Sequence, residues 1–161
     1  MTDNTILTIT CDEKFLEGLR AQLHDQFPGA MRMIVAGTVD EACSLIPMAH
    51  PRLIVVHWPR IGGRLEELNR LLWATTVLAR PIPVVVLADR YRIDQATTLY
   101  RMGIREYISR THHADQFARV LNSYIRLAPA GRSEASLAED SVPSAKPWTA
   151  APSRNAKARV V

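Results

Sequence analysis

A single histidine at the end of an apolar run is the residue of this sequence best placed to do chemistry. Residues 53–57 read Leu-Ile-Val-Val-His, and Pro59 and a glycine pair at 62–63 then interrupt any regular element. A short apolar run bounded by turn residues is typical of a strand buried on both faces of a parallel sheet. Because open α/β sheets bind ligands at the carboxyl ends of their strands, we expect His57 to stand in such a crevice.

Two further candidates follow the first predicted strand. Cys11 and Asp12 would lie close to His57 at the same edge of the sheet, and side chains of these types suit zinc or copper. The three residues follow no metal-binding spacing, so we predict neither a metal nor a cofactor. His57 also has possible roles as a phosphohistidine or a pH sensor, and Cys11 as a reactive thiol. The simpler interpretations are a partly buried histidine hydrogen-bonded in the crevice and a small residue that closes a strand.

Five apolar segments alternate with five segments of helical periodicity and form the frame around these residues. Strands are predicted over 6–10, 31–36, 53–57, 83–88 and 105–109, and long helices over 12–27, 64–79, 93–102 and 114–127. A short second helix opens at the Thr38–Glu41 capping box and stops near Pro47, and Thr111 is expected to cap the last helix. This alternation implies a doubly wound, five-stranded parallel α/β sheet with helices on both faces.

Length and composition indicate one ordinary globular domain. The chain has 161 residues, of which 47% are apolar and 22% charged, and its two cysteines are too few for a disulfide framework. The first residues lack the basic region of a signal peptide, and no apolar run reaches the roughly 18 residues of a spanning helix. We therefore expect a cytoplasmic protein without membrane contact. A net charge of +4 permits contact with nucleic acid but does not argue for it.

The sequence changes character after the last predicted helix. Of the 33 residues from 129 to 161, 17 are Ala, Pro or Ser, and basic residues outnumber acidic ones. A segment of this composition buries too little apolar surface to offset the entropy lost on ordering. The predicted organisation is therefore a domain over residues 1–127 and a disordered, Ala/Pro/Ser-rich basic tail over 128–161. Trp148 in this tail is either a short docking motif or a chance aromatic residue in a linker.

The order and spacing of these elements resemble the receiver domain of two-component response regulators over about residues 5–127. Ile-Leu-Thr-Ile and Phe-Leu-Glu-Gly-Leu-Arg resemble the first strand and helix of the family, and His-Pro-Arg-Leu-Ile-Val-Val-His resembles its phosphoacceptor segment. Ile-Pro-Val-Val-Val-Leu-Ala-Asp resembles the fourth strand, and Met-Gly-Ile-Arg-Glu-Tyr-Ile-Ser-Arg the fifth. The resemblance implies a CheY-like, flavodoxin-like (βα)5 fold.

The positions that the resemblance assigns to metal and phosphate binding carry other residue types. Thr10 and Cys11 stand where the family has two magnesium-binding acids, and Asp12 comes one position later, although a one-residue shift of register would restore one acid. His57 stands at the phosphoacceptor aspartate. Magnesium prefers carboxylate oxygens, and an imidazole offers no carboxylate for an acyl phosphate. We therefore expect this chain to lack both the metal and the phosphoacceptor.

The positions that sense the phosphate are altered as well. Ala88 stands at the switch hydroxyl and cannot donate a hydrogen bond, and Arg110 stands at the invariant lysine, where a guanidinium can still pair with an anion. Only the switch aromatic residue is retained, as Tyr107. Because phosphoryl transfer depends on positioning and on charge neutralisation by the metal, the sequence resembles a pseudo-receiver that keeps the scaffold and lacks the phosphate switch.

The leading hypothesis is a signalling module without enzymatic activity that acts by protein–protein contact, independently of phosphorylation. Trp58 and Arg60 are expected to be exposed beside the crevice, and Trp and Arg are favoured at interfaces, so they are the first interface candidates. The face of the fourth helix, fifth strand and fifth helix is a second candidate surface and a possible homodimer contact. The residues assigned to this face are Arg90, Arg92, Arg101, Arg105 and Tyr107.

Two other classes of function stay open. One is an enzyme, or a sensor of a small anion or other ligand, in the crevice near His57. Against it, no glycine-rich phosphate loop follows the first strand and no nucleophile–base–acid set is visible. The other is a regulator that binds nucleic acid through the arginine-rich face and the basic tail, and a gel shift that weakens steeply with salt would reveal it.

Overall fold

A parallel sheet with helices on both faces forms the computed structural model of the chain, which describes residues 4–28, 31–58 and 64–126. The strands are β1 (Asn4–Ile9), β2 (Met31–Ala36), β3 (Leu53–Trp58), β4 (Val84–Ala88) and β5 (Glu106–Ser109). The helices are α1 (Glu13–Gln26), α2 (Val39–Ala49), α3 (Leu65–Thr76), α4 (Ile93–Met102) and α5 (Ala114–Arg126). The sheet order is β2-β1-β3-β4-β5 with every pair parallel, which confirms the predicted doubly wound α/β fold.

The central strand β3 is buried on both faces because its side chains alternate between two apolar clusters. Leu53 and Val55 pack in the cluster that contains residues of α1 and α5. Ile54 and Val56 pack in the cluster that contains residues of α2, α3 and α4. This alternation explains why the strand reads as a continuous apolar run, and it determines the direction of each side chain at the carboxyl end of β3.

Side-chain caps hold the starts of two helices at the carboxyl edge of the sheet. Asp12 Oδ1 accepts a hydrogen bond of 3.1 Å from the Phe15 backbone N–H and so caps α1. The Thr38 hydroxyl accepts one of 3.2 Å from the Glu41 N–H, and Glu41 Oε2 accepts one of 2.7 Å from the Gly37 N–H. The predicted capping box is therefore present, and it closes on the residue before the N-cap.

The prediction that the second helix stops near Pro47 is wrong by two residues. Helix α2 contains Pro47 and continues to Ala49, and the His50 N–H donates to the Ile46 carbonyl at 3.1 Å. Proline removes only its own N–H and crowds the turn before it. The residues that follow Pro47 keep their donors, so the final turn still forms before His50 ends the helix in the left-handed conformation, with φ 43°.

Thr111 does not cap the last helix. Helix α5 begins at Ala114, and the Phe117 N–H closes its first turn on the His113 carbonyl. The Thr111 hydroxyl instead donates to the Asp89 carbonyl at 2.9 Å. Threonine hydroxyls bond readily to nearby backbone groups outside helices. Thr111 therefore ties the loop after β5 to the loop after β4.

The predicted tail over residues 128–161, and Trp148 with it, lies outside the described residues, so the division into a domain and a disordered tail stays a prediction. Among residues 4–28, 31–58 and 64–126, no helix combines the length and the apolar character needed to cross a membrane.

Candidate functional site

Thr10 and His57 meet at the carboxyl edge of the sheet. The pairing of β1 with β3 sets Ile9 beside Val56, so the residues that follow these two are neighbours. The Thr10 hydroxyl lies 3.0 Å from His57 Nδ1 and accepts a 3.0 Å hydrogen bond from the Asp12 backbone N–H. The buried Thr10 side chain thus joins the central strand to the cap of α1.

The imidazole of His57 is stacked on the ring of Phe15. The ring centroids are 4.0 Å apart and the ring planes differ by 10°. Phe15 is buried in the first turn of α1, and the sequence pattern indicated only that it belongs to the core. His57 Nε2 is buried as well and has no hydrogen-bond partner among the described residues.

Burial lowers the pKa of His57 below its ordinary value of 6.5. The carboxylates of Asp89 and Asp12 act in the opposite direction, and the Arg110 guanidinium lowers the pKa further. At neutral pH the side chain is therefore mainly the uncharged imidazole, which can form a hydrogen bond with the Thr10 hydroxyl. The simpler interpretation of His57, a partly buried histidine hydrogen-bonded in the crevice, agrees with this geometry.

Arg110 forms an ion pair with Asp89, a residue that the sequence analysis did not single out. Arg110 Nη1 lies 3.6 Å from Asp89 Oδ1, and the guanidinium carbon lies 5.0 Å from the centroid of the Phe15 ring. Both partners are about half exposed, so the ion pair itself contributes little to stability. Asp89 directly follows the last residue of β4, and this position at the carboxyl end of a strand was the available signal.

The Thr10–His57 pair offers a magnesium ion no carboxylate. The Cys11 thiol donates to the Gly37 carbonyl at 2.9 Å, and one oxygen of Asp12 is engaged in capping α1. The hydroxyl and imidazole of the Thr10–His57 pair are poor ligands for a hard cation that prefers carboxylates. In the part of the chain that the structure describes, no three His, Cys, Asp or Glu side chains come close enough to hold a metal ion.

Two further residues of the predicted site lie on the opposite face of the sheet from His57. Ala88 pairs in register with Trp58 and is buried in the cluster that includes α2, α3 and α4. Tyr107 is only 2% exposed, with its hydroxyl 3.2 Å from the Arg90 carbonyl and 3.1 Å from Gln95 Oε1. The expectation that Tyr107 contributes to a surface is therefore wrong. Burial raises the pKa of its phenol.

The expectation that Trp58 is exposed is also wrong. Trp58 is 6% exposed and belongs to the same buried cluster as Leu68 of α3. The strand extends one residue beyond the predicted end, and alternation along β3 turns Trp58 inward, on the side opposite to His57. Arg60, the second residue proposed beside the crevice, lies outside the described residues.

The arginines assigned to the face of α4, β5 and α5 are all exposed. Arg92 pairs with Asp94 at 2.9 Å, and Arg105 Nε donates to the Tyr124 hydroxyl at 3.0 Å. The same face of α4 carries two large exposed apolar side chains, Ile93 and Tyr100, at 76% and 45% exposure. The structure thus adds apolar side chains to a surface for which the sequence pattern indicated mainly positive charge.

A cavity of about 630 Å³ lies beside His57, between the carboxyl ends of β1 and β3 and the start of α2. Among the described residues, its charged lining consists of the carboxylates of Asp12, Asp40 and Glu67 and the guanidinium of Arg64. Glu67 pairs with Arg64 at 3.3 Å, and Asp40 pairs with Arg70 at 2.9 Å. Most of the charge in the described lining is therefore balanced by ion pairs.

Comparison with solved structures identifies the architecture. The signal receiver domain of the DNA-binding response regulator protein merR from Colwellia psychrerythraea 34H matches with a TM-score of 0.64 and 18% identity, over 77% of this chain and 99% of that one. A two-component response regulator from Clostridium difficile matches with a TM-score of 0.63 and 16% identity, over 80% and 100%. A response regulator receiver domain protein from Clostridium thermocellum matches with a TM-score of 0.59 and 17% identity, over 76% and 94%.

These structural matches establish that the chain has the fold of response regulator receiver domains, as the resemblance implied. At identities of 16–18% they establish the fold alone. No protein-family model matches the chain, and no curated protein sequence does.

Proposed function

We propose that this protein is a phosphorylation-independent signalling module that performs no catalysis and acts in the cytoplasm by binding other proteins. The observation that carries the proposal is the Thr10–His57 contact of 3.0 Å. It occupies the two positions at which the resemblance implies a metal-binding acid and a phosphoacceptor. A hydroxyl and a neutral imidazole provide neither the charge for magnesium nor the carboxylate for an acyl phosphate.

Two further features, at Arg110 and Ala88, support the loss of the phosphate switch. Arg110, which would have to meet a bound phosphate, is already paired with Asp89 at 3.6 Å. Ala88 has no hydroxyl with which to report an anion, and its buried methyl group faces away from His57. Binding of a phosphate would require Arg110 to exchange one anion for another, without a magnesium ion to assist.

The output would then come from a surface that is permanently available. The exposed face of α4, with Ile93 and Tyr100 among arginines, combines apolar and aromatic contact area with guanidinium groups. Aromatic residues and arginine are enriched at protein interfaces. We infer that this face binds a protein partner or a second copy of the chain, through α4 and α5.

Nucleic-acid binding is a second candidate, favoured by the exposure of Arg90, Arg92, Arg101 and Arg105 on neighbouring elements. The pairing of Arg92 with Asp94 removes part of that charge. A gel shift at two salt concentrations distinguishes the two functions, because binding to phosphates weakens steeply with salt and contact through Ile93 does not.

Phosphorylation itself can be tested directly on the full chain. The protein is incubated with acetyl phosphate and magnesium, and the intact mass is followed over time. We expect no phosphoryl adduct. An adduct that disappears in the His57→Gln variant, and is stable in alkali and labile in acid, would contradict the proposal and assign a phosphohistidine to His57.

A further inference from the structure

A second and larger cavity lies at the amino edge of the sheet, at the opposite end of the strands from the His57 site. Its volume is about 980 Å³. It is bounded by the last turns of α2, α3 and α4, the starts of β3, β4 and β5, and Tyr124 near the end of α5. We call this feature the amino-edge groove. Of its charged lining residues, Arg105 also belongs to the face of α4, β5 and α5, whereas Arg52 and Arg80 do not.

The lining of the amino-edge groove is mainly apolar. Leu78, Ile82 and Met102 are partly buried against the main core and present part of their surface to the groove. Three prolines also line it, and proline has no N–H; they are Pro51, Pro81 and Pro83. A ligand that fits here buries apolar groups.

The charged side chains at this groove are all arginines. Arg52, Arg80 and Arg105 line it, and among its lining residues in the described part of the chain no aspartate or glutamate occurs. None of the three forms an ion pair with a carboxylate of the described residues. The rim therefore carries three cationic groups around an apolar floor.

The helix dipoles do not account for these arginines. The carboxyl ends of α2, α3 and α4 point to this edge, and a cation in the last turn of a helix stabilises it. However, Arg52 and Arg105 precede strands, and Arg80 lies four residues beyond Thr76, the end of α3, whereas the effect fades within the last turn. Each helix end contributes about half a negative charge, so three guanidinium groups still leave the rim positive.

Part of the rim is held in place by the fold. The Arg105 N–H donates to the Val84 carbonyl at 2.8 Å, and Arg105 Nε donates to the Tyr124 hydroxyl at 3.0 Å. The Arg52 N–H donates to the Thr5 carbonyl at 2.8 Å. These bonds leave the terminal guanidinium nitrogens of Arg105 available in a restricted orientation. Such preorganisation lowers the entropy lost on binding.

We propose that the amino-edge groove binds an acidic amphipathic segment of a partner protein, in which aliphatic side chains alternate with aspartate or glutamate. The aliphatic groups fill the apolar floor, and the carboxylates pair with the arginine rim, where a guanidinium can bind a carboxylate in two-pronged fashion. The proposal adds a binding surface to the signalling module and does not depend on the absence of phosphoryl transfer.

Other macromolecules fit the groove less well. A membrane requires apolar side chains that project outward, whereas Leu78, Ile82 and Met102 are recessed and partly buried. A nucleic acid requires cations that follow a backbone path and offers nothing to fill an apolar floor. A peptide segment satisfies both the recessed apolar surface and the positive rim.

The proposal can be tested by selecting a random peptide library displayed on phage against the full chain. We expect enriched peptides that contain both acidic and aliphatic residues. Their binding, measured by fluorescence anisotropy, should weaken at least about tenfold in the Arg80→Glu/Arg105→Glu variant and much less in Arg80→Lys/Arg105→Lys. Arg20→Glu/Arg119→Glu is the matched control, because these exposed arginines lie on α1 and α5, outside the groove lining, and binding should be unchanged.

The site is checked by amide-resolved NMR with one enriched peptide, where the largest shifts should fall on Ile82, Met102 and Tyr124. Circular dichroism of each variant establishes that it is folded. No enrichment, enrichment of peptides without acids, or shifts outside the groove would overturn the proposal. So would equal binding of anionic lipid vesicles or duplex DNA with the same dependence on Arg80 and Arg105. Because phosphorylation is tested separately, failure here leaves the proposed function unaffected.

Discussion

The Thr10 hydroxyl and the His57 imidazole lie 3.0 Å apart at the carboxyl edge of the sheet and join the ends of β1 and β3. The same hydroxyl accepts a hydrogen bond from the Asp12 N–H, so one buried oxygen atom contacts both a side chain of β3 and the backbone just before α1. In this fold the carboxyl edge is where ligands bind, and here the two side chains bind each other.

Removal of the Thr10 hydroxyl should destabilise the domain. Thr10→Ala leaves His57 Nδ1 and the Asp12 N–H without their partner, and loss of a buried partner costs about 2 kcal/mol in the free energy of unfolding. Thr10→Ser keeps the hydroxyl and is the matched control, with an expected loss of less than half as much. Urea denaturation measures both, and equal losses in the two variants would show that the hydroxyl makes no such contribution.

Stability should fall in acid through His57. Burial lowers the pKa of the folded-state imidazole below 6.5. As the pH falls below 6.5 the unfolded chain therefore takes up the proton first, and the free energy of unfolding falls. At higher pH this contribution is fully present. The difference in unfolding free energy between the wild type and His57→Gln should therefore shrink as the pH falls. An NMR titration in which His57 protonates above pH 6.5 would refute the assignment.

Replacement of Trp58 should be far more damaging than replacement of Trp73. Trp58 is 6% exposed and packs in the cluster that contains residues of α3, whereas Trp73 belongs to α3 and is 71% exposed. Trp58→Ala should cost about 3 kcal/mol of unfolding free energy or more, and Trp73→Ala less than about 0.5 kcal/mol. Where the alanine variant is too unstable to measure, Trp58→Phe reports the same direction. Similar losses at the two positions would contradict the buried placement of Trp58.

Self-association should depend on the exposed face of α4. Ile93 is 76% exposed, and Ile93→Glu should weaken dimerisation at least about tenfold if α4 and α5 form the contact. Trp73→Glu places the same charge at another exposed apolar position, on α3, and should leave dimerisation unchanged. Sedimentation velocity over a concentration series measures the effect. A chain that stays monomeric throughout, or a dimer insensitive to Ile93→Glu, would count against homodimerisation through this face.

The fold could be predicted from the sequence because its strands are encoded locally. The run at 53–56 is apolar without interruption because β3 is buried on both faces, and turn residues follow the strand. The position of His57 at the carboxyl edge followed from the same pattern. The differences lie at the ends of elements, since α2 continues past Pro47 and Thr111 does not cap α5. Trp58 is the last residue of β3 and not the first of a loop, and because side chains alternate along a strand it points to the face opposite His57.

The contacts made by the site residues could not be predicted in the same way. The ion pair of Asp89 with Arg110 and the stacking of Phe15 on His57 join residues that are distant in sequence, and no local periodicity reports such pairs. Tyr107 lies on an edge strand, where half-exposure is usual. Its ring nevertheless lies against Tyr91, with centroids 5.2 Å apart, and this contact with the segment before α4 helps to bury it.

The most direct test of the proposed loss of the phosphate switch is an amide-resolved NMR titration of the full chain with magnesium and beryllofluoride, a mimic of the acyl phosphate. We predict no localised, saturable shifts at Thr10, His57 or Ala88, because the Thr10–His57 pair supplies no carboxylate for magnesium and Arg110 is paired with Asp89. A saturable set of shifts extending from His57 to Tyr107 would show that the crevice still binds an anion, and it would contradict phosphorylation independence.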